Sequence, residues 1–94
     1  MNEIDLTCRP ALAAHVRLQI DPVSNEPVLL FSEGLLILNP TAHEIIRRCD
    51  GRSKIQEIVV ALGAEYEIDE TTLQGDALEC LRDLMARNLV VLKP

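Results

Sequence analysis

Two histidines, three cysteines and fifteen acidic residues are the groups through which this 94-residue chain could do chemistry. His15 falls on the polar side of an alternating segment, and His43 falls beside Glu44 on the outward side of a helix. Neither has the spacing of a metal site or a partner for a nucleophile. Cys8, Cys49 and Cys80 are widely separated, with no Cys-x-x-Cys pair to suggest zinc or a redox dithiol. Cys49 and Cys80 occupy apolar helix stripes, where a thiol behaves as a small hydrophobe, and Cys8 has no neighbouring base to activate it. Asp69, Glu70, Asp76, Glu79 and Asp83 are strung along one helix. The first two suit its positive end, and Glu79 with Asp83 can pair locally with Arg82 or Arg87 or be solvated. Gly34, Gly51, Gly63 and Gly75 are isolated, so no phosphate-cradling loop is present. A non-catalytic protein is expected, with no metal and no cofactor.

Charge narrows the partners. A net charge of −6 opposes a general affinity for nucleic acid or for an anionic membrane surface. The opening MNEIDLTCRPALAAHV does not read as a secretory signal, and no apolar run approaches the ~18 residues of a membrane span. With unpaired cysteines, a reducing cytoplasm is the expected location. Phe31 and Tyr66 are the only aromatic residues, so the core must be aliphatic.

The elements that would position these groups follow from periodicity and turn chemistry. Residues 1–94 are expected to form a single domain, of which 1–14 form a flexible arm with little regular structure of its own. His15 to Ile20 alternates, with Val16, Leu18 and Ile20 on one side, and reads as a half-buried strand. Val28 to Phe31 is a continuous apolar run suited to a central strand. Gly34 supplies positive φ in a tight connection to a third strand, Leu35 to Leu38. A meander of three strands leaves that last strand at an open edge, although it is apolar on both faces.

Asn39-Pro40 starts a helix, because Asn caps free amides and Pro at the first position loses nothing by lacking an N–H. Ala42, Ile45, Ile46 and Cys49 form its buried face, and Asp50-Gly51 is expected to end it. Ser53 with Gln56 reads as a capping box for a second helix carrying Ile55, Ile58, Val59 and Leu62, ending at Gly63 or Glu65. Asp69 caps a third helix, Glu70 to Arg87, terminated by Asn88. Leu73, Ala77, Cys80 and Leu84 make its stripe, which Leu81, Met85 and Leu78 widen to about 160°, more than one buried face requires. Leu89 to Leu92 is a β-prone tail.

The predicted architecture is α+β, a small winged-helix-like domain with an N-terminal three-stranded antiparallel sheet followed by three helices. A DNA-binding regulator has this outline, but five acids against two arginines give the third helix a local charge of −3, which phosphates would repel. Two apolar surfaces remain unexplained, the outer face of Leu35 to Leu38 and the extra width of the third helix. An extended peptide can add to such an edge as a further strand. Equally, the tail, the arm or a second subunit can cover it, which keeps a structural dimerisation module and a homodimer open.

The series LLFSEGLLILNPTAHEIIRRCDG, followed by KIQEIV, with His15-Val16-Arg17-Leu18 upstream and Asp76 and Leu81 downstream, resembles the pyrroloquinoline quinone (PQQ) biosynthesis protein D family. The match runs from about Arg9 to Val91 and rests on the order and spacing of its parts. The family usually has Pro where this chain has Ser32. The resemblance implies a peptide chaperone, a recognition element for ribosomally made, post-translationally modified peptides (RiPPs). It implies two partners: a ribosomal precursor peptide, and a radical S-adenosylmethionine enzyme that joins a Glu and a Tyr of that peptide. It also implies a site between the third strand and the third helix, here Leu35, Leu36, Ile37 and Leu38 facing Leu78, Leu81 and Met85.

Overall fold

The computed structural model describes residues 4–93. Strand β1 (Arg9–Leu12) is followed by β2 (Arg17–Ile20), β3 (Pro27–Phe31) and β4 (Gly34–Ile37), then by helices α1 (Pro40–Ile46), α2 (Ile55–Tyr66) and α3 (Glu70–Ala86), and last by β5 (Val90–Lys93). The fold is α+β with three helices, as expected, but it has two antiparallel sheets rather than one. The three-stranded sheet has the order β2-β3-β4, and β1 pairs with β5 in a second sheet of two strands.

The second sheet corrects the reading of the N-terminal segment and gives the β-prone tail its partner strand. Residues 1–3 lie outside the described part, but Arg9–Leu12 runs in register with the tail, Arg9 opposite Lys93 and Leu12 opposite Val90. Ile4, Pro10, Ala11 and Ala13 are buried, as are Leu89 and Val90. Four-residue strands of this composition carry almost no local signal. Each forms because the other lies beside it across the length of the chain.

In the meander, Leu18, Leu29 and Leu36 stand in line across the three strands and pack against the core. Val28 and Leu29 are both buried, on opposite faces, as the continuous apolar run of β3 requires. Ile20, opposite Pro27 at the far end of β2, is 47% exposed, so the expected buried side of that strand is carried by Val16 and Leu18 alone. Gly34 closes the β3–β4 hairpin at φ 148°, a backbone conformation that side chains disfavour.

The helix ends follow local chemistry, with two departures. The Asn39 side chain accepts a hydrogen bond from the Ala42 N–H at 2.7 Å, and Asp69 accepts one from Thr72 at 3.1 Å. Asn88, at φ 61°, ends α3 with the paired hydrogen bonds Leu89 N–H to Leu84 C=O and Asn88 N–H to Met85 C=O. Helix α1, however, stops at Ile46 rather than at Asp50-Gly51, its last turn tightened by Arg48 N–H to Ile45 C=O and Cys49 N–H to Ile46 C=O. Asp50 and Gly51 instead tie the following turn to β1, where Gly51 N–H meets the Pro10 carbonyl at 2.9 Å. The start of α2 also differs. Lys54 is the capping residue, and its N–H is held by the Glu57 carboxylate at 2.7 Å, because the Ser53 N–H is already given to Asp50. That helix runs past Gly63 to Tyr66, and Glu67 takes the left-handed position. Gly63 serves a close approach, since a Cβ there would lie 3.1 Å from the Ile68 carbonyl oxygen.

Candidate functional site

Antiparallel pairing fixes which backbone groups of β4 are free. The Leu38 N–H donates to the Pro27 carbonyl at 2.9 Å. N–H and C=O groups alternate sides along a strand, so Gly34, Leu36 and Leu38 face β3, while Leu35 and Ile37 direct theirs away from it. No described strand pairs with that side of β4. The side chains alternate as well. Leu36 and Leu38 turn to the core, whereas Leu35 and Ile37 are each 56% exposed. The open edge expected for Leu35 to Leu38 is present, and its unsatisfied groups belong to two residues.

This edge opens onto a cleft of about 430 Å³. One wall is Leu36, Ile37 and Leu38. The end is closed by Asn39, Thr41, Ala42 and Ile45, which the Asn39 cap holds in place. The opposite wall is α3, through Asp76, Glu79, Cys80, Asp83 and Leu84. A second hollow of about 240 Å³, between Pro40, Glu44, Leu62, Tyr66, Ile68 and Leu73, has no strand residue in its lining.

The α3 wall is lined by residues other than Leu78, Leu81 and Met85. Leu81 is fully buried with Leu73, Ala77 and Leu84 in the core, and Leu78 and Met85 are half-buried outside the cleft lining. The residues that α3 brings to β4 are one helix flank away, at Cys80 and its acidic neighbours. The sequence leaves Glu79 and Asp83 to solvent or to local ion pairs, whereas in the fold they line the cleft together with Asp76. Seven residues separate Asp76 from Asp83, so the three carboxylates share that flank and rim an apolar floor.

Other candidate groups stay apart. His15 is exposed and His43 half-buried, and among the described residues no three His, Cys, Asp or Glu side chains gather as a metal site. Burial pushes the Cys49 thiol up to about 12, and its Sγ donates to the Ile45 carbonyl at 3.3 Å. Burial also raises the Cys80 thiol. No described helix is long and apolar enough to cross a membrane.

Comparison with known proteins places the sequence and the fold among relatives. The family model for coenzyme PQQ synthesis protein D (PqqD) matches residues 26–90. A PqqA binding protein of Rhodopseudomonas palustris is 37% identical over 78 residues, covering 83% of this chain and 76% of its own length. One from Xanthomonas oryzae pv. oryzae is 33% identical over 90 residues, covering 96% of this chain and 98% of its own. Among solved structures, the PqqD truncation of Methylobacterium extorquens PqqCD, a functional and stand-alone RiPP recognition element, superimposes with a TM-score of 0.77 at 32% identity, over 87% of each chain. The crystal structure of PqqD from Xanthomonas campestris gives a TM-score of 0.57 at 34% identity, over 84% of this chain and 89% of that one.

Proposed function

Because this chain belongs to the PqqD family of coenzyme PQQ synthesis proteins, we propose that it binds the ribosomal precursor peptide PqqA as an added strand on β4 and, without catalysing a reaction itself, presents it to a radical S-adenosylmethionine enzyme. The observation that carries the reading is the β4 edge. The backbone groups of Leu35 and Ile37 point outward, unpaired among the described residues, beside a cleft of about 430 Å³ that runs between β4 and α3. The relatives from R. palustris and X. oryzae are named for binding PqqA. The peptide's backbone would pair with Leu35 and Ile37, its inward side chains would lie over Leu36, Leu38, Cys80 and Leu84, and its outward ones would extend the exposed pair Leu35 and Ile37.

Ile37→Pro tests the strand. The free protein makes no sheet bond through the Ile37 N–H, and Pro is tolerated where an edge strand's N–H faces solvent. The variant should therefore keep its fold while losing one intermolecular hydrogen bond and the alignment of its neighbours. Calorimetry with PqqA should show binding weakened about tenfold, the equivalent of about 1.4 kcal/mol. A folded Ile37→Pro protein that binds PqqA as tightly as the parent would rule out this edge. For presentation, sedimentation of the radical enzyme with PqqA should show a ternary complex with the parent protein and a depleted one with the variant.

A further inference from the structure

The three carboxylates of the cleft wall are an unusual choice for a helix flank that faces a strand edge. Asp76 and Glu79 are three residues apart, and Glu79 and Asp83 four, both spacings at which like charges repel on a helix. Only Asp83 has a cation, Arg87 at 3.2 Å, and Asp76 and Glu79 form no ion pair among the described residues. All three are exposed, and all three line the same cleft, above a floor made by Leu36, Leu38, Ala42, Ile45 and Leu84.

An added strand would repeat its inward side chains every ~6.6 to 6.8 Å. Along α3 the rise from Asp76 to Asp83 is about 10.5 Å, which fits two successive inward positions and not three. A side chain entering there meets aliphatic groups first and carboxylates at the rim. Lys and Arg match that order, with an alkyl stem for the floor and a charged head for the rim. We infer that Asp76, Glu79 and Asp83 make the β4–α3 cleft selective for an extended peptide segment with cationic side chains at two alternate positions and an apolar residue between them. The intervening residue would lie on the outer face beside Leu35 and Ile37. This inference rests on the strand-addition reading and adds to it the chemistry of the segment selected.

The test uses the full chain and the PqqA peptide, with binding measured at 50 and 500 mM NaCl, circular dichroism to verify folding, and three proteins: the parent, Ile37→Pro, and the triple variant Asp76→Asn, Glu79→Gln, Asp83→Asn. The parent should weaken at least about tenfold over that salt range, since exposed charges are screened. The triple variant should already be about tenfold weaker at low salt and nearly indifferent to it. Replacing the Lys and Arg residues of the peptide by Gln one at a time should locate two sensitive positions, two residues apart, whose effects vanish in the triple variant. If the triple variant binds like the parent while Ile37→Pro does not, the edge reading stands and the cationic selection is wrong. If Ile37→Pro also binds like the parent, the strand reading fails and this inference with it.

Discussion

Asp50 shows how a single side chain can be read for the right chemistry and assigned the wrong place. Its carboxylate accepts the N–H groups of Arg52 and Ser53, each at 2.8 Å, and thereby shapes the turn between α1 and α2. Those donors hold the carboxyl below the ordinary carboxylate range, with the Ser53 bond the larger cause. A group whose folded value is depressed contributes stability above its unfolded value and loses it as pH falls through the folded one. Urea midpoints should thus drop further between pH 5 and pH 2.5 for the parent than for Asp50→Asn, which keeps an acceptor oxygen but cannot titrate. Parallel drops would remove Asp50 from the acid limb. Cys49 gives a second residue-scale expectation. With its thiol pushed up to about 12 by burial, almost no thiolate exists at pH 8. In a Cys8→Ser, Cys80→Ser background, Cys49 should react with a disulfide reagent only at the rate of unfolding, and immediate reaction of the folded protein would contradict the packing. Asn39, Asp69 and Asn88 were legible in the sequence because caps act within four residues of themselves. Asp50 and Gly51 carry the same turn chemistry, but their position depends on Pro10, forty residues away, and no local rule contains that contact.

At the scale of elements, the sequence shows the width of an apolar arc but not its phase against the neighbours. Helix α3 has a wide arc, and either flank could have faced β4. Packing against α2 takes Leu73, Ala77, Leu81 and Leu84 into the core, which turns Cys80 and the carboxylates toward the strand and leaves Leu78 and Met85 on the far side. Leu81, expected in the site, is thus a core residue. Leu81→Ala should cost about 2–5 kcal/mol in urea unfolding, the range for a large buried side chain replaced by a methyl group. Cys80→Phe should do the opposite of a core truncation. It should fill the cleft at a half-buried position, retain most of the stability and weaken PqqA binding, as calorimetry on the folded variant would show. Strands β3 and β4 and the Gly34 turn were legible for the reason α3's phase was not. A hairpin closes over a few residues, and its alternation sets both faces at once.

Over the whole molecule the two sheets do different work, one by being closed and the other by being open. The β1–β5 pair joins the beginning and end of the described chain and buries Pro10, Ala11, Leu89 and Val90, consistent with a radius of gyration of 12.8 Å against about 12 Å for a compact chain of this length. The far side of β1 is engaged as well, by the Ala11–Asp50 bridge and the Gly51 and Ile55 amides. Among the described residues, unpaired sides remain on β2, β4 and β5, and of these only that of β4 borders the cleft. A strand edge without an adjacent cleft offers a peptide backbone bonds and no side-chain reading, so it should not compete for a specific partner. Amide exchange along the full chain, with and without PqqA, separates these edges in one measurement. In the free protein, Leu36 and Leu38, whose amides face β3, should exchange slowly, and Leu35 and Ile37 quickly. Saturating PqqA should slow Leu35 and Ile37 at least about tenfold, a bound amide being freed only by dissociation or local opening. Leu92 on β5 and Leu18 on β2, whose amides face away from the partner strand, should be unaffected. Protection appearing at Leu92 instead would move the peptide to the sheet that holds the chain ends together, and binding would then be expected to stabilise the fold rather than to use a cleft the fold has left free.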